Sequence, residues 1–175
     1  ASTLTLTTTN TTLPDDYQLA ITGTSGALVN QTATTLTVTP ADTDGDGVPD
    51  YWTLQYFGHI TGESADQSRA SDDPDGDGMT NLNEYLCDTD PLNAQSRLQV
   101  LSAVPSGDDV QVSWQAVGGK TYVVESAVDL NGAIPFTNAS ALLEVVGNGE
   151  FVAEFRHEGG ATNAASRFYR VRLVP

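Results

Sequence analysis

Two stretches of this 175-residue chain place acidic residues at every second position, DTDGDGVPDYW from Asp42 and DPDGDGMTNLNEYL from Asp73. That spacing is ligand chemistry for a hard cation. Calcium takes six to eight oxygens, and a 12-residue loop supplies them from positions 1, 3, 5, 7, 9 and 12, with Gly at 6 for the sharp turn. The second stretch fits to its last position. Asp73, Asp75 and Asp77 come first, Gly78 makes the turn, Met79 offers its carbonyl, Asn81 follows, and Glu84 closes the loop. In the first stretch Asp42, Asp44, Asp46, Gly47, Val48 and Asp50 take the equivalent places, but the closing residue is Thr53, a neutral and weaker ligand. Magnesium suits the pattern less well, because it demands strict octahedral geometry and keeps its waters.

The charge distribution points the same way. Residues 42–90 hold 13 of the 23 acidic residues and one basic residue, Arg69. Such density repels itself without a counter-ion. With calcium it can fold, because the binding energy of the ion becomes folding energy. Two or more calcium ions are therefore the expected cofactor. Two of them would bring the formal net charge from −16 to −12. A chain that acidic is a poor partner for nucleic acid, which needs basic patches, and for anionic membrane surfaces.

The run DTDGDGVPDYW…YFG…DPDGDGMTNLNEYLCDTDPLN resembles the calcium-binding thrombospondin type 3 repeat, in the form found in large exported bacterial proteins. The likeness covers roughly residues 42–96. It implies a segment built on calcium ions with little apolar core, and it implies that Asp88 and Asp90 in the TDP turn close or complete a site. Thr53 departs from the repeat, where an acidic residue is usual. Calcium is abundant outside cells, so the resemblance also implies an extracellular or cell-surface location. Cys87, the single cysteine, reads as a small buried residue and leaves the compartment open. No apolar run is long enough to span a bilayer. Ala1 opens directly on a threonine-rich pattern without signal-peptide features, which reads as a mature or excised piece.

The elements around the loops follow from periodicity. Residues 1–40 alternate apolar residues with threonine around Leu4 and Leu6, around Tyr17, Leu19 and Ile21, and around Leu36 and Val38. They predict three strands, with turns at Asp15-Asp16 and Gly23–Gly26. The stretch YQLAITGTSGALVNQTATTLTV resembles the last strands of bacterial immunoglobulin-like modules. Three strands cannot bury a core alone, and bare edges seek a partner. The missing half lies upstream in a longer parent, or comes from another molecule as strand addition, or is the C-terminal domain. Residues 51–58 and 80–86 predict short helices, the first stopped by Gly58, the second with Leu82, Tyr85 and Leu86 inward. Between them, residues 59–72 read as a polar spacer.

Residues 97–175 predict six strands, with Trp114, Tyr122 and Val124 facing inward at a period of two. The run VSWQAVGGKTYVVESAVDLNG…SRFYRVRLV resembles a fibronectin type III-like domain. The expected organisation is mainly β. A partial immunoglobulin-like strand segment (1–40) is followed by a calcium-binding acidic repeat with short helices (41–96) and an antiparallel sandwich (97–175).

Catalytic patterns are not evident. No GxSxG occurs, no phosphate-binding glycine loop follows a strand, and His157 falls in a predicted turn. His59 has no second His or Cys at metal-ligand spacing. The sequons at Asn10, Asn30 and Asn138 permit glycosylation. The reading is a non-enzymatic extracellular structural protein, a surface or fibre-forming adhesive module that assembles by strand addition, partnered by calcium and by copies of itself or neighbouring β modules. The alternative is an accessory binding module, for example for a carbohydrate, on a larger secreted enzyme. It would show a row of exposed aromatics on a sheet face, whereas most of the 13 aromatics here serve cores.

Overall fold

The computed structural model describes residues 5–9, 12–130, 136–162 and 166–175. Leu4 of the first expected strand and the Asn10 sequon lie outside the described residues. The fold is mainly β with antiparallel sheets, and the chain forms two compact units, residues 1–74 and 75–175. No helix among the described residues is long and apolar enough to cross a membrane.

The first unit contains a two-stranded hairpin, β1 (Asp15–Ser25) and β2 (Leu28–Val38), paired without a break from Asp15↔Val38 to Ser25↔Leu28. Among the described residues two strands stand where three are expected, and residues 5–9 are not strand. Gly26 has φ 58 at the first central position of a two-residue turn, where a type II′ hairpin prefers glycine. The ladder therefore runs on through Gly23, Thr24 and Ser25 instead of turning there. Polar side chains tie one face together, with Gln18 Nε2 donating to Thr35 Oγ1 (2.8 Å) and Thr37 Oγ1 to Asp16 Oδ1 (2.6 Å). The other face carries Tyr17, Leu19, Ile21, Leu36 and Val38.

Helix α1 (Asp50–Phe57) follows the first acidic loop and stops at Gly58, whose φ of 83 is left-handed, as expected. Its aromatic side chains cluster, with Trp52 buried and its ring centroid 4.8 Å from Tyr56 and 6.1 Å from Phe57. Helix α2 (Asn81–Cys87) starts at Thr80, whose side chain accepts the Asn83 N–H, and ends at Asp88 in a left-handed conformation. Its inward face differs from the expected one. Asn81, Glu84 and Cys87 are buried, whereas Leu86 is 46 % exposed. Spacing by three puts one polar row of this helix inside, because that row serves the acidic loop rather than an apolar core.

The second unit holds the sandwich-like part. One sheet orders β3 (Val100–Ser106), β4 (Asp109–Val117) and β8 (Glu150–His157). The other centres on β5 (Thr121–Ala127). It pairs with β9 (Phe168–Val174) along its whole length and with two short strands, β6 (Thr137–Asn138) and β7 (Leu143–Glu144). Period-two alternation sends Val110, Val112, Trp114 and Ala116 of β4 and Tyr122 and Val124 of β5 into one core. Tyr169, Val171 and Leu173 of β9 pack on it. Each fully buried valine of this core contributes about 1.5–3 kcal/mol. Arg170 and Arg172 point the other way, to the carboxylate of Glu125 (2.6 and 3.4 Å). His157 lies at the end of β8 rather than in a turn, with Nδ1 2.9 Å from Tyr169 Oη.

Candidate metal centre

The two acidic loops have the same backbone shape. Gly45 and Gly47 have φ of 70 and 93, and Gly76 and Gly78 have φ of 76 and 95. Only glycine takes such angles without strain. In each loop they let three carboxylates converge. Asp42, Asp44 and Asp46 bring one oxygen each to within 4.8 Å of one another, and Asp73, Asp75 and Asp77 do the same. Either cluster could hold a metal ion.

In the first loop, backbone N–H groups reach the carboxylates. Asp42 accepts from Gly45 (2.8 Å) and Gly47 (3.0 Å), and Asp46 from Val48 (2.9 Å). Residues 59–72, read as a spacer, add more. Gly62 N donates to Asp44 Oδ2 at 2.7 Å and Ala70 N to Asp46 Oδ2 at 3.0 Å. A Cβ at Gly62 would stand 2.8 Å from Arg69 Cα and 3.2 Å from Asp46 Oδ2, so only glycine passes this close. Ser68, buried, accepts the Glu63 N–H on its hydroxyl and closes the segment on itself. Asp50 and Val48 are fully buried or nearly so, and both oxygens of Asp50 are held by Thr43, through its N–H (2.7 Å) and its hydroxyl (2.6 Å). Asp50 thus ties the start of the loop to α1. Thr53 is also buried.

The second loop is more enclosed. Asp75 Oδ1 accepts the Asp77 N–H (3.1 Å) and Asp77 Oδ1 the Met79 N–H (2.7 Å). Asp77 Oδ2 is buried and finds no hydrogen-bond partner among the described residues. Asn81 is fully buried, and Glu84 is 1 % exposed with Oε1 accepting from the Thr89 hydroxyl at 2.9 Å. Burial, against the pull of Thr89 and helped by the charges of Asp75, Asp77 and Asp90, raises the Glu84 carboxyl to about 7. Asp90 is therefore electrostatically part of this group. Asp88 is exposed and serves as the left-handed cap of α2. Thr89, between them, is the partner that the ligand pattern did not single out.

The donor set is all oxygen, several of its members are carboxylates, and one buried carboxylate oxygen lacks a proton donor. Those features fit a divalent cation, which would neutralise the crowded charge and occupy the free lone pairs. No protein-family model matches this chain, and neither does any curated protein or solved structure.

Proposed function

We propose that the chain is a calcium-stabilised structural protein of the cell exterior, a spacer or adhesive module that joins neighbouring β modules or copies of itself. The observation that carries this reading is the second acidic loop. A carboxylate as buried as Glu84, within electrostatic reach of Asp75 and Asp77 and in a loop with the orphaned Asp77 Oδ2, is costly without a cation. Calcium suits it best, since it accepts many carboxylate oxygens in flexible geometry. Asp73, Asp75, Asp77, the Met79 carbonyl, Asn81 and Glu84 would hold one ion. Asp42, Asp44, Asp46, the Val48 carbonyl and Asp50 would hold another. The ions supply fixed positive charge, and the chain's own turns supply the cage.

A structural role is supported by how the acids are used. In the first loop Asp42, Asp44 and Asp46 accept backbone N–H groups and Asp50 is held by Thr43, so these carboxylates are committed to the loop. The exposed aromatics are Tyr17 and Phe151, in different units, which gives a glycan no aromatic row. The resemblance to thrombospondin type 3 and fibronectin type III-like segments of exported proteins agrees with this reading. Removing calcium with a chelator is expected to lower the melting temperature and to speed amide exchange across residues 81–88. A ligand present at 1,000 times its Kd adds about 4 kcal/mol per site, so the change is measurable. Unchanged exchange and melting would overturn the proposal.

A further inference from the structure

The edge of β9 is the feature that the calcium reading leaves unused. Among the described residues, β9 is hydrogen-bonded to β5 alone, so its other edge offers unpaired backbone groups. A cavity of about 620 Å³ runs along the same strand. Every residue from Val171 to Pro175 lines it, together with Gly119, Lys120 and Thr121 at the start of β5. Its far wall is α2, through Leu86 and Cys87. The lining is mostly apolar. Its charged members are Lys120 and Arg172, and no acidic side chain lines it, in a chain with 23 acidic and 7 basic residues.

A bare strand edge beside an apolar groove is how extended segments are captured. Main-chain hydrogen bonds give affinity, and pockets for alternate side chains give selectivity. The occupant must then be an extended strand, apolar at every second residue and without positive charge. Strand β1 has those properties. Tyr17, Leu19 and Ile21 alternate along one face, with Tyr17 and Ile21 37 % and 41 % exposed. It contains no basic residue and begins with Asp15-Asp16. Among the described residues it pairs with β2 alone, so its outer edge is also bare.

We infer that the β9 edge and its groove are the acceptor for β1 of a second copy of this chain. The inference rests on the self-associating structural role proposed above. Opposite residues of an antiparallel pair share a face. Setting Leu19 across from Val171 puts Tyr17 against Leu173 and Ile21 against Tyr169, on the core side. Gln18 and Ala20 then lie across from Arg172 and Arg170, and the Asp15-Asp16 end falls at Val174, close to Lys120. The acceptor's sheet grows by a hairpin, β5-β9-β1-β2. The contact is heterologous, and repeating it gives open chains.

Complementation between two full-length variants tests this. A donor variant carries Leu19→Asp and Ile21→Asp, and an acceptor variant carries Leu86→Asp and Lys120→Glu. None of these side chains is fully buried, and calcium titration of each variant checks that it folds. In calcium, light scattering of the wild type is expected to rise with concentration. Each variant alone is expected to stay monomeric, and their equimolar mixture to stop at dimers. Assembly by either variant alone, or a mixture that stays monomeric, overturns the acceptor assignment. A wild type that remains monomeric to millimolar concentration also overturns it and leaves calcium binding intact. A wild type that assembles equally in chelator, with no calcium uptake by calorimetry, defeats the calcium reading instead.

Discussion

From Asp42 to Asp50, the chain satisfies its own carboxylates. Asp42, Asp44, Asp46 and Asp50 all accept backbone N–H groups, some of them from residues 62 and 70, and Asp42 and Asp44 are exposed. From Asp73 to Glu84, a backbone of the same shape turns its carboxylates inward, toward a helix whose buried row is Asn81, Glu84 and Cys87. One loop is propped by the protein, and the other has a buried charge that the protein does not neutralise. The same sequence pattern can therefore give a loop whose carboxylates the chain itself props and a loop that buries one, and on the proposed reading the second has the greater need of an ion. The loops also differ in their closing residue. Thr53 adds no charge, and Glu84 adds a buried one.

The sharpest break in that comparison is Asp75→Ala with Glu84→Ala. On the proposed reading it removes two charged ligands from the loop that buries a carboxylate. Affinity at this site is expected to fall on the order of 100-fold or more, since ligand charge count sets calcium affinity. Isothermal calorimetry should show one tight step disappear while the other persists. Loss of both steps would mean that the loops are a single site.

Protons offer a second test, specific to the same loop. The cation-free Glu84 carboxyl sits near 7, above its ordinary 4.5. A folded state that holds the proton more tightly than the unfolded one is favoured at low pH. Without calcium, the Glu84 contribution is therefore fully present below about 4.5 and is lost as pH rises through about 7. The loss is about 3 kcal/mol. In chelator, melting temperature should fall between pH 5 and pH 8, and Glu84→Gln should flatten that slope. With calcium the proton competes with the ion, so affinity should weaken as pH drops below about 7.

The sequence made the ligand pattern, both helices and the period-two core around Trp114 and Tyr122 legible, because each is a local rule of spacing. It did not reveal what packs over the first loop. Gly62 and Ala70 act through their backbone N–H groups, and every residue but proline carries one, so their side chains carry no trace of the role. The inward row of α2 was misread for a related reason. Leu82, Tyr85 and Leu86 look like the buried face only if burial means apolar burial, and here a carboxylate and an amide were buried instead. The short strands β6 and β7 lack the length for a visible alternation. The single unbroken hairpin was hidden by Gly23, which reads as a turn but lies within the ladder.

Gly62→Ala probes the support of the first loop. The added Cβ would meet Arg69 Cα at 2.8 Å, and backbone cannot step aside as a flexible side chain can. Overpacking of this kind costs about 1–3 kcal/mol. The spacer would shift, carrying with it the N–H groups that hold Asp44 and Asp46. Affinity of the first site is expected to drop several-fold, roughly what about 1 kcal/mol in an equilibrium gives. The second site should be untouched, and an equal loss at both would mean that the spacer does not serve the first loop alone.

Thr53→Ala is expected to do least, and its smallness is informative. Thr53 holds the closing position of the first loop and is 3 % exposed, yet it brings no charge. If the asymmetry between the loops comes from their closing residues, deleting its hydroxyl should weaken the first site by less than about 1.4 kcal/mol, or tenfold. Thr53→Glu should then move that site toward the second, with tighter calcium binding that weakens as pH falls, as a buried carboxylate requires. If Thr53→Ala costs as much as the double substitution in the second loop, the hydroxyl is a full ligand. The difference between the loops would then have to come from the spacer.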